Sequence, residues 1–310
     1  MERRIFVKTA VAAGVFFVSD TILPLRTAFA QTPEQKVFGN NTVNPYGIAV
    51  DSSGRIFVTD AGGYCIHILS SAGGTLKSFG KPGGFGEKLN FPQGIALDNQ
   101  NRIYVVDSNN GRVAVFNDEG WLLNSFGDVG GTPGSFFSPR GISLLSDGTI
   151  CVADYRNHRI QLLDSSGKCT QTIGSLGDDP SDIPVGSQRI HLRLPTGVAY
   201  NEKLGRFYIV DSKHGRVCVV SRDGGFLFAF GSSEDGNNNL NLPEGIALDS
   251  KGNVYVADAM NHRVLAFDCE GKHFRTITQG IGHPTSLAVD SRGHLLVVDA
   301  GKRSVLVFQI

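Results

Sequence analysis

The chain has 310 residues, with 29 basic and 29 acidic side chains, so its formal net charge is zero. This balance argues against a nucleic-acid-binding protein, which normally carries a basic excess. The 39 glycines, roughly twice ordinary usage, and the 2 methionines favour many short strands and tight turns over long helices. Coiled coils, disordered chains and multi-span membrane proteins are excluded on the same grounds.

The first thirty residues have the layout of an export signal. They resemble the twin-arginine type in four residues: Arg3, Arg4, Phe6 and Lys8. The apolar run over residues 9–18 is too short to span a membrane, and a small-x-small pattern ends at Ala30. The resemblance implies the twin-arginine translocase as a partner during export. We expect cleavage after Ala30 and a periplasmic or secreted bacterial protein without a membrane span; an uncleaved signal would instead anchor it.

One pattern then occurs six times. Each unit begins with Pro, a variable residue and, in five units, Gly; four short apolar runs follow, the second of which ends in Asp. The units begin at Pro45, Pro92, Pro139, Pro195, Pro243 and Pro284. Four short strands in every 40–50 residues or so are typical of a β-propeller blade. The sequence therefore predicts an all-β, six-bladed β-propeller over residues 31–310, following the signal peptide of residues 1–30.

The sixth unit has only three runs before the chain reaches Ile310. Residues 34–39, ahead of the first unit, have the Phe-Gly ending that is typical of the fourth run. We predict that this segment is the missing strand of the last blade, which would close the ring without a free sheet edge.

Two segments carry a family resemblance. PRGISLLSDGTICVADYRNHRIQLLDSSG (139–167) and PEGIALDSKGNVYVADAMNHRVLAFDCEG (243–271) resemble NHL repeats. The resemblance extends over nearly all of 34–310 and implies the six-bladed fold. It does not fix the activity, because the family includes enzymes, protein-binding modules and RNA-binding modules. RNA binding is disfavoured here by the zero net charge and by the predicted export.

An Asp at the end of the second run is followed five residues later by Arg in four units: Asp107/Arg112, Asp154/Arg159, Asp211/Arg216 and Asp258/Arg263. This spacing predicts an ion pair across one turn. Because a catalytic or metal site needs a few unlike residues rather than the same pair in every unit, we interpret the pair as structural.

The five cysteines lie outside the predicted signal and form no C-x-x-C pair, so we predict neither a disulfide nor a cysteine metal site. Cys65, Cys151 and Cys218 lie in apolar runs and are expected to behave as small core residues.

Residues that vary within the repeated frame are the candidates for ligand binding. In a propeller, the residues after each Pro and the turns between the second and third strands share one face. The candidates are Tyr46, Gln93, Arg140, Tyr155, Arg156, His158, Thr196, His214, Glu244, Met260, His262 and Thr285. This mixed polar and aromatic face suits a protein, peptide or glycan ligand; an ordinary solvated loop face is the alternative. The longer connection at 174–194 is either a binding loop or a neutral insertion.

The resemblance also implies an enzymatic alternative. Some relatives with this fold are peptide-amidating lyases that hold zinc through three histidines in the central channel, and lactonase-like propellers hold calcium through Glu, Asn and Asp. No residue directly after one of the six repeat prolines is His, and Glu244 is the only acid among these six residues. We therefore expect a binding or scaffolding module without a cofactor, catalytic residues or a nucleic-acid partner. The alternative is a metal-dependent lyase (peptidyl-hydroxyglycine lyase-like) or lactonase with an atypical zinc or calcium site.

Overall fold

The structure is a computed structural model that describes residues 35–38, 42–177, 185–232, 236 and 238–310. The predicted export signal, its cleavage site and the middle of the long connection lie outside these residues. Within the described part of the chain, no helix has the length and apolar character needed to cross a membrane.

Six four-stranded antiparallel sheets form the blades of a β-propeller, which confirms the predicted fold. The strands of the first three blades, from the axis outward, are β2 (Pro45–Val50), β3 (Ile56–Asp60), β4 (Cys65–Leu69) and β5 (Thr75–Phe79); β8 (Pro92–Leu97), β9 (Ile103–Asp107), β10 (Arg112–Phe116) and β11 (Leu122–Phe126); and β12 (Ile142–Leu144), β13 (Ile150–Asp154), β14 (Arg159–Leu163) and β15 (Cys169–Ile173). Those of the last three are β18 (Pro195–Asn201), β19 (Arg206–Asp211), β20 (Arg216–Ser221) and β21 (Phe226–Phe230); β22 (Ile246–Leu248), β23 (Val254–Asp258), β24 (Arg263–Phe267) and β25 (His273–Ile277); and β26 (Pro284–Val289), β27 (His294–Asp299), β28 (Ser304–Gln309) and β1 (Gln35–Phe38).

Short elements fill the connections. Two pairs of parallel two-residue strands follow blades one and three: β6 (Lys81–Pro82) with β7 (Lys88–Leu89), and β16 (Ser175–Leu176) with β17 (His191–Leu192). Single 3₁₀ turns join the second and third strands of blades two to five at Ser108–Asn110, Tyr155–Asn157, Ser212–His214 and Ala259–Asn261.

The N-terminal strand closes the ring, as the sequence predicts. β1 pairs antiparallel with β28, and Gln35 lies opposite Val307 in this register. The last blade thus combines strands from both ends of the described chain, and the outer edge of β28 is paired rather than open.

The core lies between the blades. Six separate clusters of buried apolar side chains each join two neighbouring blades. Because successive residues of a strand face opposite sides of the sheet, Phe57 packs towards blade two while Val58 packs towards blade six. Each blade is therefore covered on both faces by its neighbours, which a single four-stranded sheet could not achieve alone.

Glycine lies near the start of the inner strands because there is no room for a side chain near the propeller axis. A Cβ atom on Gly47 would lie 2.2 Å from the carbonyl oxygen of Gln93, and one on Gly94 would lie 2.3 Å from that of Arg140. Both distances are far below van der Waals contact. The glycines let the inner strands of adjacent blades touch, which sets the residues before them at the end of the channel.

In blades two to five, the repeated Asp–Arg pair binds the connection that leads into the blade. In blade two, Asp107 Oδ1 accepts the backbone N–H of Asn90 at 2.6 Å, and Oδ2 accepts Arg112 Nε at 2.8 Å. The same guanidinium donates to the carbonyl of Lys88 at 2.7 Å. The other three pairs have Nε–Oδ2 distances of 2.6–2.9 Å, and all four carboxylates are completely buried. The predicted structural role is confirmed.

Replacing residues 35–38 by Gly-Ser-Gly-Ser should lower the melting temperature by about 5 °C or more. Glycine and serine have low strand propensity, so the replaced segment would pair less stably with β28. Differential scanning calorimetry measures the shift. The matched control places the same four residues at positions 130–133, a largely exposed loop in the connection after blade two, where we expect a change of less than about 2 °C. Equal melting of the wild type and the 35–38 variant would show that β1 does not hold the ring closed.

Candidate functional site

The residues that follow the repeat prolines lie around one end of the central channel. A cavity of about 70 Å³ opens there, and its walls are the inner-strand glycines together with Tyr46, Thr196, Glu244 and Thr285. We call this end of the channel the mouth. The next apolar residues of the six inner strands complete the cavity wall: Ile48, Ile95, Ile142, Val198, Ile246 and Leu287. The mouth is thus polar at its rim and aliphatic towards its interior.

Large side chains from alternating blades meet at the mouth. Tyr46, Arg140 and Glu244 come from blades one, three and five. Arg140 Nη1 donates to the Tyr46 hydroxyl at 3.2 Å and lies 4.0 Å from Glu244 Oε1. One guanidinium therefore joins a phenol and a carboxylate from two other blades.

The charges at the mouth perturb one another. Burial, and secondly the charge of Glu244, raise the pKa of the Tyr46 phenol well above its ordinary value, so this hydroxyl stays protonated. Burial alone would lower the pKa of Arg140, but the neighbouring Tyr46 and Glu244 outweigh it and raise the pKa. The mouth therefore presents a fixed cation, a carboxylate and a neutral phenol.

Arg140 is also stacked on an aromatic ring. Its guanidinium carbon lies 3.9 Å from the ring centroid of Tyr155, the first residue of a 3₁₀ turn in the same blade. This contact joins two of the candidate residues from one blade. Arg156, the next residue, instead lies 5.5 Å from the Phe137 ring and is exposed, so it takes no part in the mouth.

Two buried acceptors at the mouth lack donors. Glu244 Oε2 and Gln93 Oε1 are inaccessible and accept no hydrogen bond from the described residues. His283 Nε2 lies 3.9 Å from the other oxygen of Glu244, too far for a hydrogen bond. Buried oxygen atoms of this kind normally have a partner, so the pair indicates where a donor group would be stabilised.

The channel does not fit a divalent cation. Zinc or calcium needs several converging nitrogen, sulfur or oxygen ligands. The cavity wall supplies one carboxylate, Glu244, and the Arg140 guanidinium beside it would repel a cation. We therefore derive no chemistry through a metal in the channel.

Two further candidates of the sequence belong to the frame of the mouth. Thr196 and Thr285 are buried at the rim, where their hydroxyls donate to the carbonyls of Pro243 and Tyr46 and so join adjacent blades. Their role in the structure is in the framework rather than on a surface.

The histidines and Met260 lie on the outer turns. His214 Nδ1 is 2.8 Å from the buried carboxylate of Asp211, and His158 Nδ1 accepts the Leu194 N–H at 3.1 Å. Met260 and His262 are exposed in blade five, and none of these four residues lines the cavity.

Sequence reasoning missed one cluster in blade one. Cys65 is half-buried rather than a core residue, because it faces the end of β3, where Asp60 Oδ2, Cys65 Sγ and His67 Nε2 lie within 4.8 Å of one another. The signal was present in the repeat: Cys65 occupies the position of the paired Arg, and His67 follows two residues later. Cys151 and Cys218 are buried as predicted, and all five cysteines are free.

Family models match three parts of the chain. The SMP-30/Gluconolactonase/LRE-like region matches residues 179–301, the NHL repeat matches 89–116 and 136–161, and the Beta-propeller repeat matches 37–59. Human NHL repeat-containing protein 3 is 39% identical over 72 residues, which are 22% of this chain and 21% of that protein. Human NHL repeat-containing protein 2 is 30% identical over 98 residues, 29% of this chain and 13% of that protein. The matches span about a fifth or less of these curated relatives.

Solved structures agree on the fold. A gluconolactonase from Xanthomonas campestris superposes with a TM-score of 0.67 at 15% identity, covering 92% of this chain and 93% of that one. Virginiamycin B lyase from Staphylococcus aureus gives 0.60 at 12% identity, with 89% and 88% covered. Identities this low support the architecture alone. The chain is thus a six-bladed β-propeller protein in which residues 89–116 and 136–161 match the NHL repeat.

The stacking of Arg140 on Tyr155 should contribute about 1 kcal/mol to stability, since the guanidinium is partly desolvated. A double-mutant cycle with Arg140→Met and Tyr155→Leu, measured by urea unfolding, gives this coupling free energy. Arg156→Met and Phe137→Leu form the matched control pair in the same blade, and we expect a coupling below about 0.5 kcal/mol at their longer distance. Equal couplings for the two pairs would contradict the close contact.

Proposed function

We propose that the protein is a binding module that holds a terminus or a single residue of a peptide in the mouth. The observation that carries this proposal is the pair of buried acceptors, Glu244 Oε2 on a residue of the cavity wall and Gln93 Oε1 on the residue after the repeat proline of blade two. An unpaired buried acceptor costs about 1–3 kcal/mol. A ligand that brings N–H groups would recover this free energy once the Glu244 and Gln93 side chains turn these oxygen atoms towards it.

The charges and shape of the mouth favour a peptide over a glycan. A peptide carries N–H donors for Glu244 and Gln93 and carbonyl acceptors for the Arg140 guanidinium. A glycan is usually held by an open aromatic face, but the face of Tyr155 is covered by Arg140. The cavity of about 70 Å³ is much smaller than a pocket for a whole drug-sized ligand, typically about 300–1,000 Å³, so only one end or one side chain would enter.

A metal-dependent lyase or lactonase is the second candidate. It is favoured by the carboxylate and imidazole of Glu244 and His283, 3.9 Å apart, in the segment matched by the SMP-30/Gluconolactonase/LRE-like region. The fixed Arg140 cation beside Glu244 weighs against it. Zinc or calcium that co-purifies in stoichiometric amount, and is lost in Glu244→Gln, would favour this candidate over the binding module.

Selection from a random peptide library on the immobilised full-length chain tests the proposal. Peptides enriched by the wild type should bind Arg140→Ala and Glu244→Gln at least about tenfold more weakly by calorimetry, because central contacts of this kind contribute on the order of 1.4 kcal/mol or more. If the chain is exported as its sequence predicts, such a peptide partner would be met outside the cytoplasm.

Lys168→Ala is the matched control, since this exposed cation lies in the same blade as Arg140 but in the turn between β14 and β15, at the other end of the channel. We expect it to bind the peptides as the wild type does. Enriched peptides that bind all variants equally, or a glycan array that gives hits where the library gives none, would refute the peptide-binding mouth.

A further inference from the structure

Blade one, like blade six, lacks the arginine that blades two to five place opposite the buried Asp; blade six has Ser304 there. Asp60 ends β3 and lies opposite Cys65 in the register of β4, where blades two to five have Asp opposite Arg. Asp60 is 1% exposed and keeps the backbone bonds of the frame, from Val43 N–H at 2.8 Å and Asn44 N–H at 2.8 Å. What it lacks is the guanidinium that neutralises the equivalent carboxylates.

Two side chains of β4 take the place of the guanidinium. His67 Nε2 lies 3.5 Å from Cys65 Sγ and 3.6 Å from Asp60 Oδ2. The contact with the carboxylate is longer than an N–H···O hydrogen bond, which spans about 2.7–3.2 Å. One nitrogen therefore faces a sulfur and an oxygen, and all three donor atoms lie within 4.8 Å of one another.

We propose that Asp60, Cys65 and His67 form a zinc-binding site, with water as the fourth ligand. Zinc bonds of about 2.3 Å to sulfur and about 2.0–2.2 Å to nitrogen and oxygen, at tetrahedral angles, separate sulfur from nitrogen by about 3.5 Å and nitrogen from oxygen by about 3.4 Å. The observed 3.5 and 3.6 Å fit these separations with little movement. Thiolate, imidazole and carboxylate are together a donor set that zinc prefers.

The second side of the imidazole supports the same assignment. His67 Nδ1 lies 2.7 Å from the hydroxyl of Ser78 on the next strand. When Nδ1–H donates to this oxygen, the lone pair of Nε2 is directed towards Cys65 and Asp60, as in metal sites whose histidines are oriented by an outer hydrogen bond. The His67 side chain is 14% exposed, so the cluster lies close to solvent, which would supply the water ligand.

Charge balance explains why zinc can replace an arginine here. A zinc ion with one thiolate carries a net charge of +1, the same as the guanidinium that Cys65 replaces. The buried carboxylate of Asp60 would thus be neutralised as its counterparts are in blades two to five. In the metal-free protein, Asp60 raises the pKa of His67 to about 9, so zinc must displace a proton from this ring.

The site would stabilise the junction where the ring closes. Asp60 holds Val43 and Asn44, which belong to the connection between the closing strand β1 and β2, and Thr42 of the same connection donates to the carbonyl of Arg303 in blade six. A metal bound only by the folded chain raises its stability in proportion to the logarithm of the free metal concentration. Zinc at this site would therefore stabilise the contact between the last and the first blade.

Metal titration of the chelator-treated, full-length protein tests the proposal. Zinc should bind at one ion per chain and raise the melting temperature, and cobalt used as its substitute should give the thiolate-to-cobalt absorption of a tetrahedral site. Cys65→Ser and His67→Gln should each lose cobalt absorption and the zinc-dependent shift. Cys169→Ser, which removes another half-buried thiol outside the cluster, should retain both.

Cys65→Arg separates metal binding from folding. This variant rebuilds the Asp–Arg pair of the other blades, so it should fold, bind no zinc and melt at the same temperature with and without chelator. Wild-type protein that takes up no stoichiometric zinc, or whose cobalt absorption is unchanged by Cys65→Ser, would overturn the site and leave a protonated His67 as the partner of Asp60.

Discussion

A buried carboxylate at the end of the second strand organises every blade of this propeller. It accepts backbone N–H groups from the connection that leads into the inner strand, as Asp154 does from Phe137 at 2.8 Å. In blades two to five the charge of this carboxylate is also neutralised by a guanidinium, as Arg159 does for Asp154 at 2.8 Å. Asp299 of blade six instead lies opposite Ser304, and among the described residues it accepts backbone N–H groups alone. The connection, the second strand and the third strand are thereby held together at one point.

This anchoring decides where variable residues can act. The repeat proline stands two residues beyond an anchored amide in every blade, so the residue after each Pro arrives at the mouth whatever its identity. Packing constrains the glycine that follows, because the next blade touches it. The position in between carries large side chains in blades one, three and five, namely Tyr46, Arg140 and Glu244. In blades four and six it carries Thr196 and Thr285, whose hydroxyls join adjacent blades.

The same framework accounts for what sequence could and could not predict. The blades, the closing strand and the Asp–Arg pairs follow from spacings of a few residues or from the repeat itself. Contacts across the axis cannot be predicted in this way. Arg140 and Tyr46 are 94 positions apart, and only the closed ring of blades brings them together. Cys65 was wrongly assigned to the core because its apolar neighbours outweighed its place in the repeat, where it stands opposite Asp60.

Amide hydrogen exchange tests the anchoring most directly. Asn90, Phe137 and Asn241 lie in connections outside the strands, yet their N–H groups are bonded to buried carboxylates at 2.6, 2.8 and 2.7 Å. Residue-resolved exchange on the folded chain should therefore show these three amides protected as strongly as those of the adjacent second strands. Exchange at the rate of the exposed turns at the other end of the channel would contradict an anchored connection.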